Sequence, residues 1–275
     1  MGAYVDLHTH TTYSDGILSP AQLLEKARVA GLSAISITDH DSVDGCIEAH
    51  SIAAAYSVEV IDGCEFSCYE DGKEYHILGY FFDLDNKDIK FALTEFTEAR
   101  LRRAEKIVKK LQRLNVNINI NQVLEKAGKA PIARPHIASV LMDLGATNTI
   151  KAGFWSYLAD GKPAYEPKKA FTIQQSVKLI NHAGGVAILA HPGKYLSHDD
   201  LYEIIRLGID GIEVIHPAHD ETTQKFYKEI ASQYWLLETG GSDFHGNRDY
   251  DNDNFGKFKV PYSVVDSIKF HAVRR

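Results

Sequence analysis

The chain has 275 residues, of which 44% are hydrophobic and 24% charged, and its formal net charge is −7. This length and composition suit a globular protein with one large α/β domain or two smaller ones. The negative charge argues against coating of nucleic acid or binding to an anionic membrane surface as the main role. With no secretory signal, no apolar run of membrane-spanning length and three unpaired cysteines, we expect a cytoplasmic protein with reduced thiols.

The first part of the chain predicts strands that alternate with helices. The opening AYVDLHTH predicts a strand, and SPAQLLEKARVAG predicts a helix that is capped by Ser19, has Pro20 at its first position and ends at Gly31. The segments LSAISITDH, VEVIDGCEFSC and EYHILGYFF predict the second, third and fourth strands, with a helix after the second.

A helical segment interrupts this alternation. Residues 88–170 have a long helical pattern followed by further helices around a turn that contains proline, and they predict an insertion subdomain between strands four and five. Thr172 and Gln175 predict a capping box at the start of the next helix, and three more strands then follow, in GVAILAHP, IDGIEVIHP and WLLETGGSDFHG, with amphipathic helices between them. Seven apolar strands separated by helices favour a parallel sheet and a closed or nearly closed (β/α)7 barrel, formed by residues 1–87 and 171–275.

Two histidines end the first predicted strand. His8 and His10 are two residues apart, so their side chains point to the same face of a strand, and Asp15 follows in the next loop. Imidazole and carboxylate groups are ligands for divalent cations. Taken alone, a His-x-His pair is more often a polar strand end than a metal site.

Residues of the same kind recur near the ends of the other predicted strands, where parallel α/β barrels collect their functional groups. The candidate metal ligands are His8, His10, Asp15, His40, Glu65, His76, His191, Asp243 and His245. Asp39 is expected to orient its neighbour His40 instead of binding metal. Because a single cation accepts about four to six ligands, the set predicts two or three divalent transition metal ions, such as Mn, Fe or Zn.

The motifs HTHTTYSDG, TDHD, GCEFS, HILGYF, AHP and GSDFHG carry these residues. In this order they resemble the polymerase and histidinol phosphatase (PHP) family. The resemblance implies a distorted (β/α)7 barrel with a trinuclear site that hydrolyses phosphoesters. It implies one ion held by His8, His10, Glu65 and Asp243, a second by Glu65, His76 and His191, and a third by Asp15, His40 and His245. We expect catalysis to depend on Glu65, His191 and Asp243.

The helical insertion indicates which branch of the PHP family the chain resembles. An insertion that carries ARPHIA and precedes AHPGK is similar to the branch of stand-alone nucleotide phosphatases and 5′-to-3′ exoribonucleases. That branch implies AMP-like monophosphates, 3′,5′-bisphosphonucleotides or short RNA as substrates, with no stable nucleic-acid complex and no membrane partner. Arg134, His136 and Lys194 are the expected contacts to substrate phosphate, since a guanidinium suits bidentate binding of phosphate.

Alternative functions stay open at this point. A histidinol-phosphate-type phosphatase is the alternative within the family. A barrel amidohydrolase also begins with His-x-His, but it usually needs a lysine at a strand end, which the sequence lacks. A metal-loaded binding module is the non-enzymatic rival. The seven Lys and Arg residues between Arg100 and Arg113 form either a solvated helix face or a surface that attracts phosphate.

Overall fold

The computed structural model describes residues 2–168, 170–194 and 196–274. The chain divides into two compact units, one formed by residues 1–91 and 170–275 and the other by residues 92–169. Each unit has buried apolar clusters of its own. The strands all belong to the first unit, within the described residues, and the second unit is helical.

The strands of the first unit form two sheets. The strands are β1 (Tyr4–Thr9), β2 (Ala34–Ile37), β3 (Glu59–Ile61), β4 (Gly63–Glu70), β5 (Lys73–Tyr80), β6 (Val186–Leu189), β7 (Gly211–Ile215), β8 (Leu237–Gly240) and β9 (Val260–Pro261). One sheet has the order β3-β2-β1-β9, and the other has the order β4-β5-β6-β7-β8. Strands β1 to β3 pair in parallel, as do β6 to β8, whereas β9 runs antiparallel to β1.

The predicted third strand is in fact two strands that belong to different sheets. The chain leaves β3 and enters β4 at Gly63, where an added Cβ would lie 2.1 Å from Oγ of Ser36. Strand β4 then pairs antiparallel with β5 through a turn at Asp71 and Gly72, whose φ angles of 44° and 81° are both positive. Such a two-residue turn joins antiparallel strands, so the prediction of an all-parallel sheet is wrong here.

The closed or nearly closed (β/α)7 barrel is not shown. The two sheets, as far as the described residues go, do not close into one hydrogen-bonded ring, and β5 pairs antiparallel with both β4 and β6. Isolated bridges join Thr9 to Phe244 and His40 to Glu65, and so link the ends of strands from the two sheets. What the structure shows is an α/β fold with strand ends brought together at these bridges.

The helices confirm the predicted caps. In chain order they are α1 (Pro20–Val29), α2 (Asp44–Ile52), α3 (Lys87–Arg113), α4 (Ile120–Ala127), α5 (Arg134–Asp143), α6 (Ile150–Gly153), α7 (Ile173–His182), α8 (His198–Arg206), α9 (Glu221–Tyr234), α10 (Asp251–Asn254) and α11 (Ser263–Val273). Ser19 and Gln22 form a capping box at α1, and Thr172 and Gln175 form another at α7. Among the described helices, none combines the length and apolar character that crossing a membrane requires.

The second unit has its own core and uses part of the basic segment structurally. Side chains of α3, α4 and α5 bury Leu111, Val123 and Leu141 together. The ammonium groups of Lys106 and Lys110 lie 2.9 and 2.8 Å from the Glu166 carboxylate. These ion pairs indicate that this part of the basic segment stabilises the second unit, and they argue against a surface that attracts phosphate.

Candidate metal centre

The ends of the strands bring the candidate ligands together. His8 lies in β1 and His10 directly follows it, while His40 comes after β2. Glu65 and His76 lie in the paired strands β4 and β5. The bridge between His40 and Glu65 joins the two sheets at this point.

Three further candidates follow strands of the second sheet. His191 comes after β6, and Asp243 and His245 come after β8. His191 and Asp243 have φ angles of 25° and 50°, in the left-handed region that non-glycine residues rarely occupy. Backbone strain of this kind persists where surrounding structure enforces it and clusters at functional sites.

Glu65 is the centre of the cluster and is fully buried. The residues whose ring nitrogens lie 2.9–3.3 Å from its two carboxylate oxygens are His8, His10, His40, His76 and His191. Oε1 faces His76 and His191, whereas Oε2 faces the other three. The two oxygens thus point to different sets of imidazoles, which is the geometry a bridging carboxylate needs.

Two other carboxylates complete the cluster. Oδ1 of Asp243 lies 3.2 Å from Nε2 of His10 and 3.4 Å from Nε2 of His8. Oδ1 of Asp15 lies 3.1 Å from Nε2 of His245 and 4.0 Å from Nε2 of His40. The structure therefore brings all nine candidate ligands into one connected group.

The donor atoms fit divalent metal ions. Among the described residues, His10 Nε2, Asp15 Oδ1 and His40 Nδ1 are buried without a hydrogen-bond partner, although each lies 3.1–3.2 Å from a polar atom of the cluster. Buried polar atoms without partners are costly and need an explanation. A shared cation would satisfy imidazole and carboxylate groups that lie this close together without hydrogen bonds. These ligand types suit Mn, Fe or Zn.

The electrostatics of the cluster favour this ligand chemistry. Burial raises the pKa of Glu65, but the neighbouring His40, His76 and His8 outweigh burial and hold this pKa well below its ordinary value. Burial, the largest influence on His40, lowers its pKa to about 3. The Glu65 carboxylate is therefore anionic and the His40 imidazole neutral, which are the forms that ligate metal. The carboxylates around His8 and His10 outweigh burial and raise the pKa of both rings, so these two imidazoles must each lose a proton to ligate.

Glu213 is a functional candidate that the sequence reasoning missed. It is fully buried in the middle of β7, where Oε1 lies 2.9 Å from Nδ1 of His8 and Oε2 accepts a 2.7 Å hydrogen bond from the backbone N–H of His191. Carboxylates in this position orient ligating imidazoles. The signal in the sequence is a lone acidic residue inside the apolar strand segment GIEVI.

The sequence had suggested that Asp39 orients His40, and this prediction is wrong. Its carboxylate accepts hydrogen bonds from the backbone and hydroxyl of Thr11, at 2.7 and 2.6 Å, and from the hydroxyl of Ser14, at 2.6 Å. Adjacent residues in extended chain point to opposite sides, which turns Asp39 away from its neighbour. An added Cβ on Gly45, in α2, would lie 2.2 Å from Oδ2 of Asp39, so the close approach of α2 to this carboxylate requires glycine there.

The three predicted phosphate contacts have partners of their own. In the first unit, Lys194 forms an exposed ion pair with Asp220. In the second unit, Arg134 begins α5, its Nη1 lies 3.1 Å from Oδ1 of Asp160, and its guanidinium stacks on Phe154. Nδ1 of His136 accepts a 3.1 Å hydrogen bond from the backbone of residue 133. Their role in substrate binding stays a prediction.

A cavity of about 720 Å³ adjoins the cluster. Its lining includes Glu65 and Asp243 together with His216, Arg248 and Tyr250. Sites for small molecules have volumes of roughly 300–1,000 Å³, so this cavity has the size that a nucleotide needs.

A buried group of imidazoles and carboxylates at the strand ends of an α/β fold, beside such a cavity, defines the class of metal-dependent hydrolases. The chain belongs to the PHP family, since residues 6–231 match the PHP domain.

The relatives agree with that class. The chain is 32% identical to the 5′-3′ exoribonuclease Rnm of Salmonella typhimurium, over 87% of this chain and 84% of that protein. It is 31% identical to the 3′,5′-nucleoside bisphosphate phosphatase of Chromobacterium violaceum, over 90% of both chains. A solved structure from Bifidobacterium adolescentis, provisionally described as a metal-dependent phosphoesterase, aligns with a TM-score of 0.87 and 30% identity over 96% of this chain and 94% of that one. The protein is therefore a hydrolase of the phosphoesterase class.

Proposed function

We propose that this protein is a metal-dependent phosphoesterase that hydrolyses phosphate monoesters of nucleotides, either AMP-like or 3′,5′-bisphosphorylated, or acts on the 5′ end of short RNA. The observation that carries the proposal is the position of Glu65 among five imidazoles, beside a cavity large enough for a nucleotide. The names of the relatives from Salmonella typhimurium and Chromobacterium violaceum support the choice of nucleotide and RNA substrates.

The proposed centre holds two or three divalent transition metal ions. The groups of donor atoms that lie close enough to share an ion include His8, His10, Glu65 and Asp243, then His10, Asp15, His40 and His245, and then His40, Glu65 and His76. Bound ions would neutralise the substrate phosphate and make a water acidic enough to attack phosphorus at neutral pH. Elemental analysis of protein purified without chelator should find more than one equivalent of metal per chain.

In this proposal, the side chains of the protein hold the metal ions, bind the substrate phosphate and orient the ligands. Glu65, His191 and Asp243 are the residues on which catalysis depends, since Glu65 and Asp243 provide the central anionic oxygens and His191 contacts Glu65 at 2.9 Å. Arg134, His136 and Lys194 are proposed to bind the reacting phosphate or a second, distal one. The hydrogen bonds of Glu213 fix His8 and the backbone at His191.

The finer features of the fold are part of the same proposal. Seven strands, β1, β2 and β4 to β8, would form a distorted (β/α)7 barrel, and the bridges at Thr9 and Phe244 and at His40 and Glu65 support this arrangement. Residues 88–170 would act as a cap that contributes substrate contacts. A cytoplasmic location is supported by the three cysteines, which form no disulfide in the described structure.

The test is a panel of phosphate esters given to the metal-loaded protein. It contains AMP, a 3′,5′-bisphosphonucleotide, a 5′-phosphorylated oligoribonucleotide, histidinol phosphate and an aryl phosphate. We expect the highest kcat/KM among the nucleotides or the oligonucleotide. A preference for histidinol phosphate would select the alternative within the family. Release of neither phosphate nor a mononucleotide from any of the five by fully loaded protein would contradict the proposal.

A further inference from the structure

Arg248 lies between β8 and α10, against one of the candidate ligands. Its Nη1 donates to Oδ2 of Asp243 at 2.8 Å and to the backbone carbonyl of the same residue at 3.3 Å. The Arg248 side chain is 33% exposed and lines the 720 Å³ cavity. The guanidinium is therefore held in place at one end and open to the cavity elsewhere.

Asp243 divides its two oxygens between different partners. Oδ1 faces His8 and His10, whereas Oδ2 accepts from Arg248. The contact with Arg248 therefore leaves Oδ1 available as a ligand. Because the guanidinium is anchored to a buried carboxylate, it loses little further conformational freedom when it binds another group.

Nη2 of the Arg248 guanidinium has a contact with His245 that would be lost if His245 bound a metal ion. Nη2 of Arg248 lies 3.3 Å from Nε2 of His245, which is also the ring nitrogen that lies 3.1 Å from Asp15. A ring nitrogen whose lone pair ligates a cation cannot accept a hydrogen bond as well. Ligation by His245 therefore frees the Nη2 donors of Arg248 for another acceptor.

The charge of the cavity wall completes the argument. Among the described residues that line this cavity, Arg248 is the single Lys or Arg, and Lys194, in the same unit, does not line it. A guanidinium carries a permanent positive charge and matches phosphate oxygens in geometry as well as charge.

We propose that Arg248 binds the phosphate of the substrate directly, while its contact with Asp243 holds the guanidinium beside the reacting group. This inference rests on the proposed function and adds a phosphate-binding residue that lies outside ARPHIA and AHPGK. Tyr250, 48% exposed, and Asn254 line the same cavity beside Arg248, where an aromatic face and an amide are available to a nucleoside.

The experiment measures binding of inorganic phosphate, so that its readout does not depend on turnover. Wild type, Arg248→Ala and Arg248→Lys are loaded with the same metal, and metal content per chain and the Kd for phosphate are measured by elemental analysis and calorimetry. Arg206→Ala is the matched control, since Arg206 is exposed and contacts Glu203 and the ring of Tyr202 within its own helix. We expect Arg248→Ala to raise the Kd about tenfold or more at unchanged metal content, as loss of a charge-assisted contact does. Arg248→Lys should be intermediate, because an ammonium keeps the charge without the planar donors.

Two results would overturn the inference. An unchanged Kd in Arg248→Ala at full metal content would show that Arg248 does not touch phosphate. If Arg248→Ala loses metal but the protein that remains loaded binds phosphate with an unchanged Kd, Arg248 is only a positioning residue for Asp243. If the alanine variant does not fold, the same comparison applies to Arg248→Lys, which retains the ion pair. Wild type that binds phosphate through Arg248 but hydrolyses none of the five esters would refute the proposed function and leave this inference standing.

Discussion

Nδ1 of His8 lies 2.9 Å from Oε1 of Glu213, and both side chains are fully buried. An ionised carboxylate only accepts hydrogen bonds, so this contact assigns the proton of His8 to Nδ1. In the neutral ring Nε2 then carries the lone pair, and it is Nε2 that faces Glu65 and Asp243. A carboxylate on β7, in the other sheet, thus determines which nitrogen of His8 is available to a metal ion.

Glu213→Gln should weaken metal binding. The amide has one acceptor oxygen and no charge, so it cannot hold both His8 and the backbone N–H of His191 as the carboxylate does. We expect a loss in metal affinity of about 10- to 100-fold, as is typical for residues that orient ligands. Competition with a chelator measures this loss. Glu238→Gln, at an exposed position in β8, is the matched control, and equal affinities in the two variants would contradict the role of Glu213.

Glu65→Gln should abolish turnover and lower metal content. The substitution is nearly isosteric, so the fold should persist, but one neutral amide oxygen replaces two anionic oxygens that face five imidazoles. Phosphate release, elemental analysis and thermal unfolding separate the loss of function from unfolding. Near-normal activity with full metal content would show that Glu65 is an ordinary strand residue.

Arg134→Ala tests the predicted phosphate contact in the insertion. If Arg134 binds phosphate, metal content stays unchanged and kcat/KM falls by about ten- to a hundredfold. The loss should be larger for nucleotides than for an aryl phosphate if the contact is to a second, non-reacting phosphate. Asp160→Asn is the control, because it removes the charge that faces Arg134 but leaves the guanidinium. Unchanged kcat/KM with lowered Tm in Arg134→Ala would mean that ARPHIA is a structural element.

The thiols should be unreactive in the folded protein. Cys46, Cys64 and Cys68 are buried and form no disulfide within the described residues, and burial raises the pKa of Cys46 to about 12. At pH 8 the thiol form of Cys46 therefore dominates, and the thiolate that attacks disulfide reagents is scarce. Titration with a chromogenic disulfide should find less than one reactive thiol per chain in the native state and all three cysteines after denaturation. Rapid reaction of the native protein would show that the core around α2 opens readily.

The sequence by itself predicted features that depend on neighbouring residues. Ser19 and Gln22 lie three positions apart along the chain, as do Thr172 and Gln175. Both pairs form capping boxes in the structure. The spacing of His8 and His10 placed both rings on one face of β1 because side chains alternate along a strand. The nine candidate ligands could be named because each lies within a recognisable strand segment, at its end or in the loop that follows it.

Only the tertiary structure decided which distant groups meet. Glu213 and His8 are separated by 205 positions, and their contact depends on how β7 and β1 lie within two different sheets. Likewise, the antiparallel pairing of β4 with β5 and the division of the third predicted strand set which side chains face Glu65. The partners of a buried carboxylate follow from strand pairing and register across the whole fold, and a one-residue change in register would turn each side chain to the opposite face. Local sequence patterns encode the element and its faces, whereas the free energy that fixes the register comes from packing of the complete core.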